Sequence, residues 1–486
     1  MRSELLIGEV FTNAARAVPA RTAVAVGGDA LDFATLESSS NRLARRLGAL
    51  GVHRGTRLAT WTSTTIDMVP LFAAVSKLGA VLVPLSGQLG AAEAEALLSI
   101  ARPAAVVADA GHVDAAEALS VPVLGLGELL SESVGLDDSP VAPPDGLTGA
   151  DPHIVFFTSG STGSPKGVVL SHQTNYLRSH PGALPEPRGA MVCPFPLFHM
   201  GAWTIALQQW QARDAVVLVP PEAPAICEAV EAWRATRINC IPAVWRRVLG
   251  EVDTGGSARA LSSLRFADTG TSATPPELLE AMAAHLPAAR LRVFYGSTEA
   301  GTVCGLDHDD MARKPGSCGV PASGVELRLA GDGEIQVKST TLFDGYLDDP
   351  EATQRAFTDG WYRTGDLGEL DDDGFLTIVG RTGELIRTGG ESVAAGEVEA
   401  VLRDLGSVSD VVVVGVPDAT WGEVVCAVVV AAGAPPALAE VRAHCAERLA
   451  SYKHPRRVEV VDAIPRTAAT GQVQRRLVVE ELLGRG

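Results

Sequence analysis

Apolar positions along the chain fall either at helical spacing or in short continuous runs, and the pattern changes from block to block. Residues 41–47 place Leu43, Ala44 and Leu47 on one side of a helical wheel and Arg42, Arg45 and Arg46 elsewhere. That pattern predicts an amphipathic helix. Residues 67–78 predict a second helix, leading into a strand at 80–84. Short apolar runs at 154–157 and 168–170 predict two buried strands with a tight turn between them. Residues 237–241 and 266–272 read as strand ends that feed a ligand crevice, the usual place for one in an open α/β sheet. Residues 291–295 predict a short strand. The last hundred or so residues read strand, helix, strand, helix, at 384–387, 397–405, 411–416 and 438–450. Residues 137–149, rich in Pro, Asp and Gly, predict a loop that delivers the chain to the strand at 154. Helices alternating with strands predict an α/β layered fold.

The turn after residue 157 carries the first candidate chemistry. It runs Thr158-Ser159-Gly-Ser-Thr162-Gly-Ser-Pro165-Lys166-Gly167. Its glycines and hydroxyls leave N–H and O–H groups to converge on one anion, and Lys166 adds the single fixed charge. A Walker A loop would need Gly-Lys-Ser/Thr opening a helix, whereas here Lys166 follows a proline and precedes a strand. Taken alone, the stretch also reads as a Gly/Ser surface linker. Further on come Pro194-Phe-Pro-Leu-Phe-His199-Met-Gly201 and Gly270-Thr271-Ser272. Tyr295-Gly296-Ser-Thr298-Glu299 follows, where Gly296 permits a sharp turn and Glu299 projects a carboxylate suited to a nucleotide's metal. Asp366, in Trp361-Tyr-Arg-Thr-Gly-Asp366, is an acceptor-only group suited to a ribose diol, and Gly380-Arg381 follows it.

In this order and phrasing the segments resemble the signature of the adenylate-forming superfamily: acyl-CoA ligases, adenylation domains of peptide synthetases, and luciferases. The resemblance covers nearly the whole chain. It implies a large layered α/β N-terminal domain, residues 1–381, with the acyl and nucleotide sites, and a small mobile α+β C-terminal domain, residues 382–486. It implies that Thr158, Ser159, Thr162 and Lys166 hold ATP's phosphates. Tyr295 would pack on adenine beside Gly296, Thr298 would contact the α-phosphate, Glu299 would hold Mg²⁺, and Asp366 with Arg381 would clamp the ribose. His199 would border the acyl pocket and the thiol path, with Gly270, Thr271, Ser272 and Gly296 in that pocket. The Gly389-Gly390 loop would line the pantetheine tunnel, where small residues let the backbone approach the ligand. Its Gly-Gly-Glu phrasing looks more like free-standing CoA ligases than carrier-protein loaders. The C-terminal domain would swing about a hinge usually made by Asp or Lys. Gly383 stands at the hinge here and absorbs dihedral change at little steric cost.

One position departs from the family. The C-terminal signature usually reads Pro, four residues, then Gly-Lys, and that lysine reaches the α-phosphate and carboxylate during adenylation. Here Pro465 is followed, one residue later than usual, by Gly471-Gln472. Glutamine donates a hydrogen bond but carries no charge, so adenylation should be impaired, while thiol attack on an acyl-adenylate does not call on this residue. In a chain whose basic residues include only Lys77, Lys166, Lys314, Lys338 and Lys453 as lysines, drift would leave Arg rather than Gln. Lys453, Arg466, Arg475 and Arg476 are the nearby cations that could compensate, although an arginine fork differs in shape from a point charge. The expectation is therefore an acid-thiol ligase, competent mainly in the thioester-forming half-reaction, that takes CoA and an acyl-adenylate, with a partner adenylating ligase as one source of the latter. Such a protein resembles the non-adenylating acyl-CoA ligases of platensimycin-type diterpenoid natural-product pathways. Two alternatives stay open: a complete ligase using ATP and Mg²⁺, favoured by the retained phosphate loop, and a non-catalytic nucleotide- or acyl-binding partner. Nothing in the sequence points to luciferase-type oxidation.

Composition bounds the remainder. At 486 residues the chain has room for two or more domains, and a formal charge of −18 argues against nucleic acid or anionic membrane as partner. No apolar run reaches bilayer length, and Glu4 interrupts the start before a signal-type apolar segment develops, so a cytoplasmic location is expected. Seven cysteines with no Cys-x-x-Cys pair suit reduced core residues better than disulfides or a zinc site.

Overall fold

The computed structural model describes residues 4–159, 165–180, 186–255, 261–388, 391–418, 420–446, 448–467 and 472–484. The chain packs as two compact units. The larger holds residues 1–315, 321–325 and 338–362, and the smaller holds 316–320, 326–337 and 363–486. This division follows packing, whereas the expected border at 381/382 describes a pivot.

The larger unit contains two sheets. One runs Gly301–Asp307, Arg290–Ser297, Phe266–Gly270, Arg237–Cys240, Met191–Cys193, Val216–Leu218, Thr22–Val26 and Asp29–Asp32, parallel through its interior. The other runs Gly345–Tyr346, Pro165–Ser171, Pro152–Ser159, Val81–Ser86, Arg57–Thr62, Ala105–Ala108 and Val123–Gly125. Its central strands are buried on both faces, which is why Val81–Ser86 reads as an unbroken apolar run rather than an alternating one. The predicted helix at 67–78 is Met68–Lys77, buried at every residue. The stretch at 41–47 is the second half of Phe33–Ala49, whose start is fixed by Asp32 accepting the Thr35 N–H at 2.7 Å.

Two buried polar clusters tie these elements together. Lys77, 4% exposed, donates to Glu37 Oε2 at 2.7 Å and to Asn41 Oδ1 at 2.5 Å, joining the helices Met68–Lys77 and Phe33–Ala49. Beneath the strand Pro152–Ser159, the His153 ring is held by Ser76 at 2.7 Å and Asn175 at 2.9 Å, and it faces His172 at 4.6 Å between ring centres. His172 Nδ1 accepts the Ile7 N–H at 3.2 Å. Burial pulls the His172 pKa down to about 4, and burial with its neighbour pushes His153 well below the usual histidine range.

These histidines predict an acid-sensitive core. Because the folded His172 pKa of about 4 lies below the ordinary 6.5, the unfolded chain binds more protons between those values. Stability is therefore full above pH 6.5 and falls as pH drops toward 4, by about 3 kcal/mol from this residue alone. Urea midpoints across that window measure the slope. His172→Gln should flatten it, and an unchanged slope would assign acid sensitivity to other groups.

In the smaller unit the strands Val408–Asp418 and Gly422–Ala431 form a long antiparallel hairpin. Val411, Val413, Val425, Ala427 and Val429 pack on one face with Val398, Leu402 and Val441 from the helices Ala395–Leu402 and Leu438–Ala446. Val412, Val414, Val416, Cys426 and Val428 pack on the other with Val478 and Leu482 from the helix Arg475–Gly484. A strand covered on both faces has no polar side, and this explains the continuous run that predicted residues 411–416. The expected strand, helix, strand and helix are present, at Leu385–Thr388, Ala395–Leu402, Val408–Asp418 and Leu438–Ala446, with further strands among them. Leu385–Thr388 pairs with Glu391–Ala394, and Gly422–Ala431 also pairs with Arg457–Val460, so the helices are interleaved with hairpins. Among the described residues no helix is long and apolar enough to cross a membrane.

Candidate nucleotide and acyl site

The phosphate segment is a hairpin. Pro152–Ser159 and Pro165–Ser171 pair antiparallel, with Thr158 opposite Lys166 and Ser159 opposite Pro165. The turn is thus shorter than the stretch from 158 to 167 predicted, because the ladder continues past the apolar residues. Thr162 lies outside the described residues. Gly167 is required by space, since a Cβ there would stand 2.9 Å from Val155 Cγ1 and 3.0 Å from Leu347 Cβ. Lys166 Nζ lies 4.9 Å from the centre of the Tyr346 ring, and the Tyr346 hydroxyl donates to Glu299 Oε1 at 3.2 Å. Burial and the neighbouring Glu299 push the Tyr346 hydroxyl pKa upward, so it remains a donor. Tyr346 thereby links two motifs that are far apart in sequence.

The second motif leaves the strand Arg290–Ser297 into a turn in which Ser297 Oγ accepts the Ala300 N–H at 3.1 Å. Gly296 does not have a positive φ, so the sharp-turn explanation is corrected: a Cβ there would sit 2.1 Å from the Gly301 carbonyl oxygen. Gly301 itself has φ of 69°. The half-buried Thr298 and Glu299 have their carbonyls held by Arg178, whose Nη1 and Nη2 donate to them at 2.7 and 2.6 Å. Among the described residues no three of His, Cys, Asp and Glu converge on a metal-ligand set. A lone carboxylate suits Mg²⁺, which takes one or two carboxylates and completes its shell with phosphate oxygens and water. Glu299 fits that use.

His199 caps the helix Met200–Ala212, its Nδ1 accepting the Gly201 N–H at 3.3 Å. Burial lowers its pKa, so at neutral pH the ring is neutral, and the occupied Nδ1 assigns the proton to Nε2. The Phe195 ring lies alongside at 6.2 Å. Gly270 ends its strand where a Cβ would meet the Phe294 carbonyl oxygen at 2.3 Å. Thr271 follows with φ of 70°, a conformation costly for a β-branched residue, and Ser272 is exposed.

In the smaller unit Asp366 stands within the strand Trp361–Leu370 rather than just after a turn, directly opposite Arg381 in the antiparallel ladder. Arg381 Nε donates to Asp366 Oδ1 at 2.5 Å, and Thr364 Oγ1 accepts the Asp366 N–H at 3.0 Å. Gly383 lies in the turn Thr382–Glu384, with nothing within 4 Å of a Cβ built there. Gly389 and Gly390 lie outside the described residues. Gln472 is exposed, and its backbone closes on Thr467 through Thr467 N–H to Gln472 O at 2.8 Å and Gln472 N–H to Thr467 Oγ1 at 3.1 Å.

The cations near Gln472 in sequence are engaged. Arg466 grips both oxygens of Asp410 at 2.8 Å. Arg475 binds Glu384 at 2.8 Å, the Val413 carbonyl at 2.9 Å, and both oxygens of the buried Glu399. Arg476 pairs with Glu480 at 3.0 Å, one helical turn on. Lys453 holds Glu397 through both carboxylate oxygens, at 2.5 and 2.7 Å.

Comparison with known proteins decides the family. The AMP-binding enzyme model matches residues 11–347, and the AMP-binding enzyme C-terminal domain matches 397–470. The chain belongs to the AMP-binding enzyme family. It is 30% identical over 478 residues to long-chain-fatty-acid–CoA ligase FadD13 of Mycobacterium tuberculosis, covering 93% of each chain. The fold matches o-succinylbenzoate CoA synthetase (MenE) from Bacillus subtilis, solved with the acyl-adenylate intermediate OSB-AMP, at a TM-score of 0.86 and 27% identity over 96% of this chain and 97% of that one. ATP-bound MatB from Rhodopseudomonas palustris matches at 0.86 and 27%, covering 98% of each. Two residues of this AMP-binding enzyme escaped the motif reading. Arg178 and Tyr346 touch the Thr298-Glu299 turn from elsewhere in the chain, and neither sits in a spacing pattern that sequence alone would single out.

Proposed function

We propose that this AMP-binding enzyme is an acyl-CoA ligase that converts an acyl-adenylate and CoA to acyl-CoA and AMP, and that it adenylates the free acid only weakly. The observation that carries the reading is Gln472 at the position of the usual lysine, with Lys453, Arg466, Arg475 and Arg476 each committed to a carboxylate. Arg475 leaving its pair would strand the buried carboxylate of Glu399. The named CoA ligase relatives support the thioester half of the reading, and the acyl-adenylate held by the MenE structure supports the choice of substrate.

In the proposed step the CoA sulfur forms a bond to the acyl carbon. The bond from that carbon to the phosphate oxygen breaks, AMP leaves with the electron pair, and the thiol proton passes to solvent. Tyr295 would stack on the adenine, Thr298 would donate to the α-phosphate, and Asp366 with Arg381 would hold the ribose. His199, neutral and with Nε2–H as donor, would border the acyl group with Gly270, Thr271, Ser272 and Gly296. Gly389 and Gly390 would shape the thiol path. Mg²⁺, where ATP is used, would be held by Glu299 and would neutralise phosphate charge. A pivot at Gly383 would divide residues 1–381 from 382–486. In this conformation Gly383 has neither a positive φ nor a close neighbour.

A complete ATP-dependent ligase is the second reading, favoured by the retained hairpin with Lys166 beside Tyr346. The two separate in one mass-spectrometry experiment that compares acid, ATP and CoA with synthetic acyl-adenylate and CoA. The proposal expects acyl-CoA from the adenylate at a rate at least about a hundred times that from ATP, the effect of one missing transition-state donor. Comparable turnover from both would establish the complete ligase, and a partner adenylating enzyme would then have no role.

A further inference from the structure

Arg178 closes the helix His172–Arg178 with a guanidinium turned wholly onto main chain. Nε donates to the Thr341 carbonyl at 2.7 Å, Nη1 to that of Thr298 at 2.7 Å, and Nη2 to that of Glu299 at 2.6 Å. Among the described residues no carboxylate forms an ion pair with it. The Glu299 carbonyl also accepts the Phe343 N–H at 2.8 Å, so the 298–299 turn and the segment from 341 to 343 share one knot of hydrogen bonds. Gly301 completes the arrangement: its φ of 69° curves the chain past the guanidinium, and a Cβ there would lie 3.1 Å from Arg178 Nε.

A half-buried cation satisfied only by carbonyls is an expensive way to close a turn, because desolvation opposes the charge. A neutral side chain could have closed the turn without that penalty. What the planar fork adds is simultaneous, directional grip on consecutive carbonyls. It also polarises the peptide groups on which Thr298 and Glu299 are mounted.

We propose that Arg178 is a positioning residue for nucleotide binding: it fixes the Thr298 and Glu299 carbonyls so that the hydroxyl and carboxylate of this turn meet the α-phosphate and its metal in one register. The inference rests on the nucleotide role proposed for Thr298 and Glu299. Arg178 itself touches no reacting atom.

The test measures AMP affinity of the full chain by titration calorimetry, with the ligand-free melting temperature recorded alongside, for Arg178→Lys, Arg178→Gln, Thr298→Ala and Arg178→Lys/Thr298→Ala. Lysine keeps the charge but loses the fork, so Arg178→Lys should bind AMP about ten-fold or more weakly while melting within a few degrees of the parent. Measured without Mg²⁺, so that Glu299 has no metal to hold, the double variant should bind no more weakly than Thr298→Ala alone, because both changes then remove the same contact. Arg178→Gln should weaken AMP at least as much, and it supplies the same comparison if lysine lowers the melting temperature. Parental AMP affinity in Arg178→Lys and Arg178→Gln, with Thr298→Ala impaired, would overturn the positioning role while leaving the nucleotide role of the turn intact. Independent, additive losses in the double variant would likewise overturn it. Parental affinity in Thr298→Ala would instead overturn the nucleotide role, and the inference with it.

Discussion

Gln472→Lys is expected to raise acyl-CoA formation from acid, ATP and CoA by about 10²–10³-fold, the usual effect of one preorganised donor on a developing charge. Adenylation moves negative charge between a carboxylate and a triphosphate, and an ammonium stabilises that redistribution in a way a carboxamide cannot. The substitution is structurally mild. Gln472 is exposed, and its described bonds to Thr467 run through the backbone or to the backbone, so a lysine keeps both. The reaction that starts from acyl-adenylate should change little, which makes it the internal control. The measurement is initial-rate mass spectrometry of both reactions for both proteins. If ATP-dependent turnover does not rise, the charge at 472 is not what limits adenylation. If it is already efficient in the parent, the ion pairs of Arg466 and Arg475 must open readily during catalysis.

Lys77→Met should cost about 3–5 kcal/mol of folding stability, the loss expected when one partner of a buried ion pair is removed. Lys77 is 4% exposed and Glu37 is 9% exposed, so neither charge has water to fall back on. Burial lowers the Lys77 pKa and Glu37 raises it, so the ammonium survives because of its partner. Without it, Glu37 would keep the Thr12 hydroxyl at 2.9 Å and the Asn41 amide at 3.2 Å but no cation. Urea unfolding followed by tryptophan fluorescence reports on the larger unit, where Trp203 and Trp210 are buried. Lys77→Met/Glu37→Leu should recover most of the loss, since an apolar pair of similar volume carries no stranded charge. A single variant within about 1 kcal/mol of the parent would show that the pair is no stronger than a surface one.

Much of the architecture was legible because it depends on neighbours along the chain. The helices around 41–47 and 67–78 follow from side chains one turn apart, and the strands flanking the phosphate hairpin follow from short apolar runs cut by glycine and serine. The motifs built on Thr158, Tyr295 and Asp366, and the missing charge at Gln472, are local in the same sense. The hairpins of the smaller unit were legible only in part. A strand covered on both faces has no alternating signature, and Gly422–Ala431 passed unnoticed beside its partner.

What the chain's order could not decide was which distant groups meet. Gly296 reads as a turn residue, yet its necessity lies in the Gly301 carbonyl 2.1 Å from where a Cβ would stand. Arg466 and Arg475 read as candidate replacements for the lost lysine, and the fold commits them to Asp410, Glu384 and Glu399. Arg178 and Tyr346 read as nothing in particular until the sheets bring them to Thr298 and Glu299. Periodicity and motif spacing record interactions within a turn or a strand, and these the sequence by itself determined. Neutralisation of a charge, close approach of two backbones and the grip on a turn depend on the partner that folding delivers, and only the tertiary structure decided them.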